Sequence, residues 1–238
     1  MTQLTALDRL HPALIATIVF VIASANLIAY YGHGRAIFLV IPTTAVLLGA
    51  AALISGLHWH DLGVTLPQLR AGLPWAGLVI LGAVLVVGVG VLIPPLRSQF
   101  FHDDRFRSLS TAAFAAFVVI PLQTVLPEEL LFRGVLQGAL MRTWSVPVAL
   151  SVGAVLFGLW HITSSVHLSE DNQGLRDLFH NASVAQIAGV VLSVVATTAA
   201  GFIFGWLRYK TDSLLPSIAL HWAINAAGAL GVALAWRL

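Results

Sequence analysis

An all-α, polytopic bundle of transmembrane helices is the fold class this sequence predicts, and three observations predict it. Hydrophobic residues make up 58% of the 238-residue chain and charged residues only 9%, where soluble domains carry about 25% charged residues. Apolar runs recur at lengths near the roughly 20 residues that a helix needs to cross hydrocarbon. Most remaining charges gather in the short segments between those runs. A chain of this size forms one bundle, so residues 1–238 are expected to be a single domain. A net charge of +2 without a basic block gives no argument for nucleic acid, and none is expected as a partner. There is no cysteine, which excludes disulfides, thiolate zinc sites and cysteine nucleophiles.

The elements follow in order. The first apolar segment, His11–Tyr31, comes after a short start containing Arg9. Ala23, Ser24 and Ala25 resemble a signal-peptidase site, but the apolar run continues past them, which favours an uncleaved span. The second segment, Ala36–Leu57, follows the turn at Tyr31–Arg35, and the third, Ala71–Leu96, follows the polar connector His58–Arg70. The fourth, Ser108–Met141, would run about 50 Å as one helix against a core of about 30 Å. It contains Pro121 and Pro127, so a kink or break is expected there. The last three are Val146–Val166, Ser183–Leu207 and Leu214–Trp236, separated by the polar stretches His167–Asn181 and Arg208–Ser213. The count is seven spans, or eight if the fourth divides. Lys and Arg fall almost evenly on the two faces, so the positive-inside rule does not orient the bundle. His58 and His60, beside Trp59, have the makings of a metal site but read better as interface anchors. Gly134/Gly138 and Gly201/Gly205 have the spacing that lets helices approach closely.

Five ionisable residues fall inside the spans: Glu128, Glu129, Arg133, His161 and His221. A charge in hydrocarbon costs roughly 2.5–3.5 kcal/mol even on the lenient insertion scale, so such residues face the bundle interior and mark function. Glu129 and Arg133 share a helix face and are expected to form an ion pair. Glu128 lies about 100° round the helix, without an in-sequence partner. A carboxylate in such a pocket suits a general base; the plainer reading is that both acids hold helices together. His161 by itself is unspecific, and Phe157 on its face is most simply a packing wall. His221 and Asn225 can converge to donate hydrogen bonds to an oxyanion, or can join helices. Counted from the face holding Arg142 and Arg208, Glu128 lies about 20 Å deep, His161 about 22 Å and His221 about 10–15 Å.

Glu128-Glu129-x-x-x-Arg133, Phe157-x-x-x-His161 and His221-x-x-x-Asn225, in that order in successive late spans, resemble the CAAX-protease and bacteriocin-processing family of intramembrane endopeptidases. The resemblance covers about residues 108–238, the expected catalytic core. It implies a hydrolase acting on a peptide bond of a protein or peptide substrate, in a multi-pass protein of the cell membrane. In that family pattern Glu128 activates water, His161 helps to hold it, and His221 with Asn225 forms the oxyanion hole. Glu129 and Arg133 support the site. No cofactor is required by this reading. Zinc on Glu128, His161 and His221 is the alternative, since His and carboxylate ligands suit it; a donor pair explains Asn225 better than a metal does. Two other readings are a non-enzymatic immunity or scaffold protein and a proton-coupled transporter. Absence of symmetry between the halves argues against the transporter. Nothing in the sequence sets an oligomeric state.

Overall fold

The computed structural model describes residues 12–101, 103–166 and 181–238. Arg9, His11, His102 and the polar stretch from His167 to His180 lie outside the described residues. Among the described residues seven main helices carry the fold: α1 (Pro12–Tyr31), α2 (Arg35–Ile54, opening with a 3₁₀ turn), α3 (Leu66–Leu92), α4 (Leu109–Thr143), α5 (Val146–Trp160), α6 (Ala182–Thr211) and α7 (Leu215–Ala235). All but α5 are long and apolar enough to cross a membrane. The chain is a multi-pass membrane protein, and its apolar surface faces lipid: Ile54 is 88% exposed, Val86 74% and Phe20 71%.

Several boundaries differ from the sequence expectation, each for a local reason. α3 starts earlier, at Leu66, where Thr65 and Gln68 form a capping box. It ends at Leu92 rather than Leu96 because Pro94 and Pro95 cannot continue its ladder; they open a separate short helix, Pro94–Phe100. The fifth span does not run to Val166. α5 has 15 residues, about 22 Å, and stops at Trp160, while Ile162–Ser165 forms its own turn. Arg208 is not in a loop: α6 continues to Thr211 and turns at Asp212, whose φ is 51°.

α4 is continuous over 35 residues, so the fourth segment neither breaks nor yields an eighth helix. Its length is taken up by two π-helical stretches, Ala115–Val125 and Leu130–Leu136, around a short α-helical stretch, Leu126–Glu129. In an i→i+5 ladder residue 121 would serve the carbonyl of residue 116. Pro121 has no N–H, and the Trp222 indole of α7 donates to that Ala116 carbonyl instead, at 2.8 Å.

The second half of α4 is the centre of the bundle. Leu131, Phe132, Val135, Leu136, Ala139 and Leu140 are buried against Ile15, Ile18 and Ile22 of α1, Leu48 of α2, Phe157 of α5 and Phe204 of α6. α7 packs along α3 and the first half of α4, and α5 packs along α6. The glycine pairs sit at close approaches: a Cβ on Gly138 would come within 2.8 Å of the Asp61 carbonyl oxygen, and one on Gly201 within 3.1 Å of the Phe157 ring.

Candidate active site

Glu128 and Glu129 occupy the short α-helical stretch between the two π-helical segments of α4. Both are buried, at 8% and 0% exposure, so each carboxylate needs a partner within the bundle. Arg133 Nη1 donates to Glu129 Oε1 at 3.0 Å, the pairing that the four-residue spacing predicts. His221 Nδ1 lies 2.9 Å from the same oxygen. This contact was not foreseen, because the sequence offers His221 only Asn225 as a neighbour. It joins α7 to α4 and brings His221 to the level of the glutamates. His221 is in the second turn of α7, and that helix begins below the rim: Ser213, Leu214, Pro216 and Ser217 are buried, and Leu214 N–H donates to the Gly63 carbonyl at 2.9 Å.

Aromatic rings complete the surroundings of the ion pair. The Arg133 guanidinium lies over Phe157, 3.9 Å from the ring centroid, and 4.9 Å from that of Phe204. It also donates to the Gly201 carbonyl at 3.4 Å. Phe204 stacks on the His221 imidazole, with centroids 5.1 Å apart. Phe157 stands between the two histidines, 4.7 Å from the His161 ring and 6.0 Å from that of His221.

Glu128 is partnered differently. Its Oε1 accepts from the Trp160 indole N–H at 3.3 Å, and its buried Oε2 has no hydrogen-bond partner among the described residues. Glu129 Oε2 is likewise buried without one. His161 follows the last residue of α5, and its Nδ1 lies 2.8 Å from the Phe157 carbonyl. A carbonyl only accepts, so Nδ1 carries a proton, and in the neutral ring Nε2 is an acceptor. Asn225 is half-buried one turn beyond His221, and its amide makes no hydrogen bond among the described residues.

The structure therefore gathers Glu129, Arg133, His221, Phe157 and Phe204 into one contact network. It links Glu128 to α5 through Trp160. His161 joins through the Phe157 ring and backbone, and Asn225 through its place on α7. Trp160 and Phe204 escaped the sequence reading. Trp160 had a signal, being next to His161 with an indole N–H that needs an acceptor; Phe204 had none, as one apolar residue in an apolar span. Glu128, His161 and His221 are not grouped as a zinc ion would require, and no three His, Asp or Glu side chains are so grouped among the described residues.

A family model described as type II CAAX prenyl endopeptidase Rce1-like matches residues 110–227. Comparisons with curated proteins and with solved structures give no match. The matched segment opens in the first turn of α4 and closes just after Asn225, so it contains every motif residue described above. Through residues 110–227 the chain belongs to the Rce1-like family of CAAX prenyl endopeptidases.

Proposed function

We propose that this protein is an intramembrane endopeptidase of the cell membrane, hydrolysing a peptide bond of a protein or peptide substrate with water activated by Glu128 and His161. The observation that carries this reading is the contrast between neighbouring carboxylates. Glu129 is hydrogen-bonded by an arginine and contacted by a histidine, whereas the Arg133 guanidinium acts on Glu128 only through space: among the described residues Glu128 takes its hydrogen bond from a neutral indole, and its Oε2 has none.

Water between Glu128 and His161 would give one proton to Glu128 Oε2 while His161 Nε2 accepts a hydrogen bond from the other. The resulting hydroxide attacks the carbonyl carbon of the scissile bond. The oxyanion accepts hydrogen bonds from the Asn225 amide and from His221 Nε2–H. That second donation requires both His221 nitrogens to carry protons, because Nδ1 already donates to Glu129. Two carboxylates, one guanidinium and one imidazolium then sum to zero charge, which lowers the cost of the cluster within hydrocarbon. When the C–N bond breaks, Glu128 returns its proton to the leaving amine.

Purified protein in detergent with a peptide library tests the reading. Cleavage by the natural sequence and its loss in Glu128→Ala, with folding and insertion retained, is the expected outcome. Full activity in Glu128→Ala overturns it, and absence of any hydrolysis by the natural sequence favours an immunity or scaffold role. Activity is expected to persist under chelation; stoichiometric zinc that leaves together with activity would replace this water-activating step.

A further inference from the structure

Asn26 sits in the last two turns of α1, outside the family-matched segment, as the polar amide of an otherwise apolar stretch. Its Nδ2 donates to the Trp160 carbonyl at 3.1 Å, and its Oδ1 accepts from the Thr163 hydroxyl at 2.8 Å. The reversed amide would set oxygen against the Trp160 carbonyl oxygen, so only this orientation satisfies both contacts.

The place of these bonds matters. Trp160 ends α5, and its carbonyl belongs to the last turn, whose carbonyls have no partner within the helix. His161 has already turned out of the helix, with φ −84° and ψ 0°. Its carbonyl accepts from the hydroxyls of Ser164 and Ser165, at 3.1 and 2.5 Å. Two side chains leave this stretch toward the site: the Trp160 indole, bonded to Glu128, and the His161 imidazole. Packing does not fix the indole on every side. A cavity of about 320 Å³ between α1 and α5 is lined by Trp160 together with Asn26, Phe132, Leu136 and Thr163. Beside such a space a side chain lacks the contacts that lock a rotamer in a dense core, and the hydrogen bonds supply the constraint.

We propose that Asn26 and Thr163 form a clasp on the Trp160–His161 peptide, and that Trp160, so held, is a positioning residue for Glu128. The indole N–H occupies Oε1 and leaves Oε2 to meet water. The first helix thereby takes part in the site although it carries none of its motifs. The proposal rests on the reading of Glu128 as the base.

The test uses the full chain with two readouts. The first is the indole N–H resonance of Trp160 in protein labelled at tryptophan nitrogen, identified among seven tryptophans by its loss in Trp160→Phe. It is expected to move upfield in Glu128→Gln, Asn26→Leu and Thr163→Val and to keep its position in Thr163→Ser, which retains the hydroxyl. The second is peptide cleavage. Trp160→Phe and Thr163→Val are expected to lower kcat by about 10–100-fold, the worth of one hydrogen bond to a charged group, with KM within about twofold. Thr163→Ser keeps kcat, and Asn26→Leu added to Trp160→Phe lowers it no further, because Asn26 acts through the indole. A resonance unmoved by Thr163→Val and Asn26→Leu overturns the clasp. Natural kcat in Trp160→Phe, with Glu128→Ala inactive, overturns the positioning role and leaves the base intact. Full activity in Glu128→Ala instead removes the base reading, and the resonance still decides the clasp.

Discussion

Arg133 and Arg208 are almost equally buried, at 2% and 3% exposure, yet the two regions around them solve the same problem differently. Arg208, at the end of α6, is met by backbone: its Nη2 donates to the carbonyls of Asp61 and His60, at 2.9 and 3.4 Å. Asp212 takes Nη1 at 3.3 Å and is itself held by Gln68 at 3.0 Å. The connector between α2 and α3 can supply those carbonyls because His60 and Asp61 lie in a one-turn helix, Trp59–Leu62, whose carbonyls face a helix end; that of His60 also accepts from the Gly63 N–H at 3.0 Å. Gly63 makes the approach possible, since a Cβ there would strike the Arg208 guanidinium. Arg133 lies within α4, where carbonyls are mostly spent on helices, so a carboxylate and two aromatic faces must serve it.

What each region leaves over differs in kind. Near the bundle end it is Arg208 Nε, a donor that cannot take up a proton. Within the span it is Glu128 Oε2 and Glu129 Oε2, which can. The first region offers a leftover group that can only donate, the second offers oxygens that could also accept a proton, as the proposed function requires.

The comparison can be broken most directly at Arg133. Arg133→Leu leaves Glu129 buried without its guanidinium and is expected to cost about 3–5 kcal/mol, read as loss of the folded protein on thermal or denaturant unfolding. Adding Glu129→Gln should recover most of that stability. Glu128→Gln should lower cleavage by about 10²–10⁴-fold without a change in melting temperature, which would separate the proposed base from the pair beside it. Arg208→Ala is expected to cost about 2 kcal/mol of stability with kcat per folded molecule unchanged. A matching fall in kcat would mean that the two regions are coupled. The smallest effect belongs to the pair of Arg142 and Asp61 at the bundle end, 2.9 Å apart and each about one-fifth exposed. Arg142→Ala should cost no more than about 1 kcal/mol, and less as salt is raised.

Much of this was readable in the chain. Composition and run length yield the helical membrane bundle, and four-residue spacing yields the Glu129–Arg133 pair, because both depend on local order alone. The end of α5 at Trp160 was hidden because residues up to Val166 continue the apolar pattern; the clasp from Asn26 and the serine bonds at His161 lie across or beyond the helix. The continuity of α4 through Pro121 was hidden for a related reason. The missing N–H is visible in sequence, but the Trp222 indole that serves the freed carbonyl comes from another helix.

The same division runs through the site. Which side chains could carry the proposed chemistry, and that their charges need burial with partners, follow from residue type and from the energetics of hydrocarbon. Which partner each one takes does not. Glu128 and Glu129 are adjacent and chemically identical, so no local rule assigns one to a cation pair and the other to an indole. That assignment comes from where α7 begins beneath the α2–α3 connector and where α5 ends against α1, two packing events between segments far apart in the chain.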